Sequence, residues 1–132
     1  MAVAVVVDDN EDELQSSISI LKNTGQFENI FGFNCPVEGY SFIKERGCGV
    51  LFMETEMKGM NCFVLINKLR KIRQDILYVI VTSNEDYACE AFQKGVMDYV
   101  LKPLSLEGVA KTVGKIRKYY RRQDYGYCNE NE

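Results

Sequence analysis

Five polar residues of this sequence have side chains that can bind an ion or take part in a reaction. Each lies at the end of a short apolar run or just after it, and the runs are far apart along the chain. The five residues are Asp8, Asp9, Glu54, Thr82 and Lys102. The three carboxylates among them form a hard oxygen set of the kind that Mg²⁺ prefers. An ammonium group beside them would offset their repulsion or bind a phosphoryl oxygen, and a hydroxyl would donate a hydrogen bond to that oxygen. The set therefore indicates binding of a divalent cation or chemistry on a phosphoryl group.

The apolar runs predict the strands that would bring these residues together. They cover residues 2–7, 49–53, 76–82 and 98–101, with a weaker run at 29–34. Short, continuous, β-branched runs are typical of strands that are buried on both faces of a parallel sheet. Ligands of an open α/β sheet bind beyond the carboxyl ends of its strands, so we expect the polar residues to meet at one edge of the sheet.

The segments between the runs have apolar residues at the spacing of a helix. Apolar stripes at helical spacing occur in residues 14–21, 62–72, 88–92 and 106–120, and Pro36 opens a further helix over 37–46. Ser105 is the predicted N-cap of the last helix. This alternation predicts an α/β domain with a doubly wound, five-stranded parallel sheet, because right-handed crossovers place helices on both of its faces.

Composition excludes several classes of function. The chain has 132 residues, enough for one domain, and its 46% hydrophobic and 27% charged residues exclude a disordered chain. It contains no histidine, which excludes His-based acid/base catalysis, a Ser-His-Asp triad and His-ligated metals. A net charge of −3 argues against direct binding of nucleic acid by this chain.

The cysteines and the N-terminal run indicate the compartment. The five cysteines are odd in number and form no C-x-x-C pair. We therefore expect no signal peptide and reduced thiols, most of them in the core. The apolar run 2–7 is far too short to cross a bilayer. We therefore expect a cytoplasmic chain that makes no membrane contact.

Four sequence motifs contain the candidate residues. They are V-V-V-D-D-N-E (5–11), L-F-M-E-T-E-M-K-G-M (51–60), V-I-V-T-S (79–83) and D-Y-V-L-K-P-L (98–104). Together they resemble the receiver domain of bacterial two-component response regulators, over about residues 2–122. The D-Y-V-L-K-P ending (98–103), with E-D-Y-A-C-E-A-F (85–92) before it, is similar to the subgroup whose output is a LytTR-type DNA-binding module. The resemblance implies a flavodoxin-like (βα)5 fold with strand order 2-1-3-4-5, a receiver domain at 1–122, and a tail or linker at 123–132.

The resemblance also implies roles for individual residues. The metal ligands for Mg²⁺ would be Asp8, Asp9, residue 54 and the backbone carbonyl of Glu56. Thr82 would be the switch hydroxyl, Tyr99 the switch aromatic, and Lys102 the contact to the phosphoryl group, with a cis bond to Pro103. Expected partners are a sensor histidine kinase or another signalling protein, and a second copy bound through helix four, strand five and helix five.

The sequence departs from the family pattern at the central position. Glu54 stands where the family has its phosphoacceptor Asp, and Lys58 stands where a Pro usually follows the Met of that motif. Glu is longer than Asp by one methylene, about 1.5 Å, and phosphoryl transfer depends on positioning. We therefore expect a pseudo-receiver without enzymatic activity, in which Glu54 partly imitates the phosphorylated state.

Three alternatives stay open at this point. Glu54 leaves the domain inert, or it is itself phosphorylated with Mg²⁺, or the chain is a Mg²⁺-dependent phosphohydrolase. The last alternative is the weakest, because the Asp-x-Asp nucleophile motif that it needs is not supplied by residues 8–10.

The last predicted helix is strongly basic. Lys111, Lys115, Lys118 and Arg122 share one face, while residues 8–13 are acidic, so the charge is asymmetric although the net charge is small. The basic face is either simply solvated or part of an interface. The family resemblance makes it a candidate for the dimer or output contact.

Overall fold

The structure is a computed structural model that describes residues 2–130, with side chains described for residues 2–123. Strands and helices alternate throughout this part of the chain. In order they are β1 (Ala2–Val7), α1 (Glu11–Thr24), β2 (Phe27–Phe33), α2 (Pro36–Arg46), β3 (Val50–Met53), α3 (Cys62–Arg70), β4 (Leu77–Thr82), α4 (Ala88–Gln93), β5 (Asp98–Leu101) and α5 (Leu106–Glu130).

The five strands form one sheet in the order β2-β1-β3-β4-β5, and every pair is parallel. This confirms the predicted fold class and strand order. The largest difference from the predicted strands is at β2, which begins at Phe27 rather than at residue 29. As an edge strand, β2 is only partly buried, so its apolar pattern is weaker than that of the central strands.

Two apolar cores lie on the two faces of the sheet, because side chains alternate along each strand. One core contains Val5, Val7, Leu51 and Met53 with residues of α2, α3 and α4. The other contains Ala4, Val6, Val50 and Phe52 with residues of α1 and α5. Burial on both faces explains why the central strands are continuous apolar runs.

Polar side chains fix the starts of the helices that follow β1 and β5. The Asn10 side chain accepts a hydrogen bond from the backbone N–H of Glu13 and is the N-cap of α1. The Ser105 hydroxyl accepts one from the backbone N–H of Gly108, 3.0 Å away, as expected for the predicted N-cap of α5. The Lys102-Pro103 peptide bond is cis, as predicted.

Helix α5 is longer than the sequence analysis anticipated. It continues to Glu130, so most of the segment 123–132, expected to be a tail or linker, is helical. Residues 131 and 132 lie outside the described part of the chain, and the domain boundary at residue 122 stays a prediction. Among the described residues, no helix is both long enough and apolar enough to span a bilayer.

The expectation that most cysteines fill the core is confirmed in part, because Cys62 is in the core and the partly buried Cys48 packs against it. Of the four whose side chains are described, only Cys62 is fully buried, while Cys35 and Cys48 are partly exposed and Cys89 is exposed. These thiols are unpaired. The short cysteine side chain is tolerated at half-buried positions of this fold, which composition alone does not reveal.

The close approach of α2 to β1 gives a first testable prediction. A Cβ added at Gly39 would lie 2.8 Å from Cγ2 of Val7, a β-branched side chain that is stiff at χ1 and fully buried. We expect Gly39→Ala to lower the free energy of unfolding by about 1–3 kcal/mol, as measured by urea denaturation.

Gly114 on α5 provides the matched control, since a Cβ there would have no heavy atom within 4 Å. Gly114→Ala should stabilise the protein by about 0.5–1 kcal/mol through helix propensity alone. An equal or higher stability of Gly39→Ala would contradict this account of the α2 packing.

Candidate functional site

The register of the parallel strands brings the candidate residues to one edge of the sheet. Val7 is paired with Met53, so the next residues along β1 and β3, Asp8 and Glu54, are neighbours. The backbone N–H of Glu54 donates to the carbonyl of Val7 at 3.1 Å, and that of Lys102 donates to the carbonyl of Thr82 at 2.9 Å. The backbone ladder therefore positions the first polar residue after each strand.

The ammonium group of Lys102 is the centre of the site. Its Nζ lies 2.7 Å from Oδ2 of Asp8 and 2.6 Å from Oε2 of Glu54. It also donates a hydrogen bond to the carboxylate of Glu13, in the first turn of α1. The side chain of Lys102 is 9% exposed, so these charge-assisted bonds are largely shielded from water.

The surroundings shift the pKa values of the groups in this ion-pair network in different directions. Burial raises the pKa of Asp8, and hydrogen bonds from Lys102 and the backbone of Asn10 only partly offset it. Burial also acts to raise the pKa of Glu54, but Lys102, the Thr82 hydroxyl and the Thr55 backbone together hold it below the usual range. Burial acts to lower the pKa of Lys102, yet its carboxylate partners raise it. The lysine and Glu54 are therefore both charged at neutral pH.

The second oxygen of Glu54 faces two threonines. Oε1 accepts hydrogen bonds from the backbone N–H of Thr55 at 2.8 Å and from its hydroxyl at 3.1 Å. The Thr55 hydroxyl is also 3.3 Å from that of Thr82, and both threonines are buried. Thr82 is thus linked to Glu54 through Thr55.

Tyr99 reaches the same region from β5. It is partly buried, and its hydroxyl donates a hydrogen bond to the backbone carbonyl of Asn84, in the loop between β4 and α4. Burial raises its pKa. The aromatic ring therefore bridges β5 to the loop that follows Thr82.

Two predicted metal ligands have side chains that are engaged elsewhere. Oδ2 of Asp9 accepts a hydrogen bond from the backbone N–H of Lys58 at 2.9 Å. The Glu56 carboxylate accepts one from the hydroxyl of Tyr87, also at 2.9 Å. A Pro at position 58 would lack the N–H that holds Asp9. The predicted role of the Glu56 backbone carbonyl stays a prediction.

Sequence reasoning missed two residues of the site, Glu13 and Thr55. Glu13 lies in the first turn of α1, and helix starts after β1 point towards the carboxyl edge of the sheet. The spacing between Asp8 and Glu13 in the sequence matches no motif. Thr55 could have been noticed as a hydroxyl directly after the acid of the third strand.

The chain belongs to a family of signalling domains. Residues 4–114 match the response regulator receiver domain family, so the chain is a member of that family and a receiver domain of two-component signalling. It is 29% identical over 125 residues to an uncharacterized response regulatory protein of Vibrio cholerae, covering 95% of this chain and 52% of that protein. It is 28% identical over 126 residues to the sensory transduction protein LytT of Bacillus cereus, covering 93% and 50%. The chain spans about half the length of these relatives.

Solved structures show the same flavodoxin-like fold. A LuxR-family DNA-binding response regulator of Staphylococcus aureus superposes with a TM-score of 0.78 at 25% identity, covering 88% of this chain and 98% of that one. The response regulatory domain of the protein mrkE of Klebsiella pneumoniae gives a TM-score of 0.81 at 18% identity, covering 91% and 98%. Domains of this family interact with histidine kinases and other signalling proteins.

Receiver domains bind Mg²⁺ at an acidic site, and the donor set here fits such an ion. One oxygen each from Asp8, Glu13 and Glu54 lies within 4.8 Å of the other two. Carboxylate oxygens are ligands that Mg²⁺ accepts. Lys102 binds the same carboxylates, so a cation and the ammonium group would compete for them.

Removing the ammonium group tests the network. Lys102→Met leaves Asp8 and Glu54 buried without their cation, so we expect a loss of about 3–5 kcal/mol at neutral pH. Adding Glu54→Gln should restore part of this loss. The control Lys94→Met breaks an exposed pair with Glu90 at 3.7 Å and should cost less than about 0.5 kcal/mol.

The stability of the Lys102→Met variant should fall as pH rises. Without Lys102, burial and mutual repulsion raise the pKa values of Asp8 and Glu54 above their unfolded values. The folded state then binds protons more tightly, so stability falls as pH rises from about 4 towards 7. A Lys102→Met variant that is as stable as the wild type, or that gains stability over this range, would contradict the network.

Proposed function

We propose that this chain is a pseudo-receiver in which Glu54 stands in for a phosphorylated aspartate. The observation that supports this most directly is the 2.6 Å contact between Oε2 of Glu54 and Nζ of Lys102. In the family the matching lysine contacts the phosphoryl group. The extra methylene of Glu54 carries its negative charge away from β3 and towards the position where phosphoryl oxygens would lie.

The imitation is incomplete in charge and in the number of acceptors. A phosphoryl group carries up to two charges and three strong acceptor oxygens, whereas a carboxylate has one charge and two oxygens. Glu54 uses one oxygen for Lys102 and the other for Thr55, so it has no third oxygen for Thr82, whose hydroxyl lies 3.3 Å from that of Thr55. We therefore propose a partial shift towards the active state.

The same contacts argue against efficient phosphorylation of Glu54. Both carboxylate oxygens are already hydrogen-bonded, and a displacement of about 1 Å from the productive geometry can cost on the order of a hundredfold in rate. The chain is thus proposed to signal without enzymatic activity. The alternative, an active receiver that is phosphorylated on Glu54, is one outcome of the test below.

Binding of Mg²⁺ is proposed to be weak. The expected ligands were Asp8, Asp9, Glu54 and the backbone carbonyl of Glu56, but Asp9 is held by the Lys58 N–H and Glu54 by Lys102. An ion at these carboxylates would compete with the Lys102 ammonium for Glu54, whereas the hydrogen bond at Asp9 uses only its Oδ2. The competition at Glu54 supports signalling that does not depend on the cation.

The proposed biological role is control of an output through protein contacts. The relatives named LytT and the LuxR-family structure support regulation of transcription by a protein that includes this domain. We propose a cytoplasmic chain whose partners are a sensor histidine kinase or another signalling protein. With a net charge of −3, the chain itself is not proposed to bind nucleic acid or membranes.

The proposed interface for a second copy is the surface of α4, β5 and α5. Phe92 on α4 and Leu101 on β5 are large apolar side chains that are 50% and 46% exposed. The basic residues of α5 next to this surface are also exposed, and they are Lys111, Lys115, Lys118 and Arg122. Exposed apolar residues with a charged margin are typical of protein interfaces.

A phosphorylation experiment tests the pseudo-receiver proposal. The wild type and Glu54→Asp are incubated with acetyl phosphate and Mg²⁺, and intact mass is measured. We expect no phosphoryl adduct on the wild type and an adduct on Glu54→Asp, because the shorter side chain restores the geometry of an acceptor. Glu54→Gln serves as the control that lacks a carboxylate. A stoichiometric adduct on wild-type Glu54 would establish the active-receiver alternative instead.

Sedimentation analysis tests the proposed interface. If the wild type self-associates through α4, β5 and α5, Phe92→Asp should weaken the dimer by at least about tenfold, since it places a charge in an apolar contact. Val37→Asp changes an equally exposed apolar residue on α2 and should have no effect. Equal weakening by both variants would rule out this surface as the specific contact.

A further inference from the structure

We infer that Thr55 is a positioning residue that relays the charge of residue 54 to the switch residues Thr82 and Tyr99. The inference rests on the proposed role of Glu54 as an unphosphorylated stand-in. Thr55 lies between the two groups that it connects, with its hydroxyl 3.1 Å from Oε1 of Glu54 and 3.3 Å from the hydroxyl of Thr82. Thr55 lies within the motif at residues 51–60 but has no role in the family resemblance.

The direction of each hydrogen bond follows from the number of protons available. An ionised carboxylate only accepts hydrogen bonds, so the Thr55 hydroxyl donates its one proton to Glu54. The oxygen of Thr55 is then free to accept from the hydroxyl of Thr82, 3.3 Å away. Thr82 has used its own proton, and its oxygen accepts from the backbone N–H of Asn84 at 3.2 Å. The carboxylate thus fixes the orientation of both hydroxyls.

The chain of hydrogen bonds ends on the aromatic residue of β5. The carbonyl of Asn84 accepts a hydrogen bond from the Tyr99 hydroxyl. Asn84 therefore links Thr82 to Tyr99, because its N–H bonds to one and its carbonyl to the other. Because the two threonines of this hydrogen-bond chain are buried, a change at Glu54 affects the residues beyond it. Thr55 is 3% exposed and Thr82 is 1% exposed, so water cannot readily replace a missing partner, and an unsatisfied buried hydroxyl is costly.

This arrangement gives a specific function to a hydroxyl at position 55. A valine of nearly the same shape would pack equally well but would remove the hydroxyl through which Thr55 connects Glu54 to Thr82. The Thr82 oxygen would still accept from the N–H of Asn84, but the Thr82 proton would no longer be directed by Thr55. The side chain of residue 54 would still contact Lys102, so the ion pair and the relay are separable.

Nuclear magnetic resonance of the unphosphorylated protein tests the relay, with Glu54→Gln as the perturbation. In the wild-type background this substitution should shift the Asn84 amide and Tyr99 ring signals. It should also speed amide exchange at Asn84 by about fivefold, the factor that corresponds to one ordinary hydrogen bond. In a Thr55→Val background the same substitution should leave these signals nearly unchanged. In a Thr55→Ser background, which keeps the hydroxyl, the full response should return.

Two results would overturn the inference. An undiminished response to Glu54→Gln in the Thr55→Val background would show that Glu54 acts on Thr82 without Thr55. A response that is lost equally in Thr55→Ser would assign the effect to packing rather than to the hydroxyl. Tyr87→Phe is the control, because it removes the bond to Glu56 at the other end of the same loop and should preserve the response.

The experiment is independent of the phosphorylation assay. It uses no phosphodonor and no metal ion, so an adduct on wild-type Glu54 would refute the pseudo-receiver proposal without affecting the result for Thr55. Conversely, a failed relay would leave the contact between Glu54 and Lys102 in place.

Discussion

A single buried ammonium group holds the functional edge of this domain together. Lys102 follows β5, Asp8 follows β1, Glu54 follows β3 and Glu13 begins α1, so one cation joins four segments that are distant in sequence. Buried carboxylates repel one another unless a positive charge compensates them. The ion-pair network therefore stabilises the strand ends that the backbone ladder positions, and it ties the first turn of α1 to them.

Glu54, which stands where the family pattern has Asp, is part of this network. A longer carboxylate reaches Lys102 directly and ionises readily there, because the ammonium and neighbouring donors lower its pKa against the effect of burial. The proposed stand-in thereby needs no covalent modification, because Glu54 already places a negative charge beside Lys102. Lys58 stands where the family pattern has Pro, and its backbone N–H donates a hydrogen bond to Asp9 that a Pro could not supply.

The sequence was sufficient to predict the sheet, because strands buried on both faces leave unmistakable apolar runs, and the residues after those runs must share an edge. It was also sufficient to predict that Asp8, Glu54 and Lys102 meet. Side-chain direction was not predictable: Asp9 turns to a backbone amide and Glu56 to Tyr87, which depends on loop geometry. Glu13 and Thr55 were missed because hydrogen-bond partners that come from a helix turn or a loop leave no periodic pattern. The length of α5 exceeded expectation, since its polar end gave no apolar stripe.

Glu54 can act as a stand-in only if it binds Lys102 in the unmodified protein, and scalar couplings across hydrogen bonds measure this contact directly. In protein labelled with ¹⁵N and ¹³C, the Nζ of Lys102 should show coupling to the carboxyl carbons of both Asp8 and Glu54. Coupling to Asp8 alone, with a Lys102 ammonium signal that is unchanged in Glu54→Gln, would contradict the central claim.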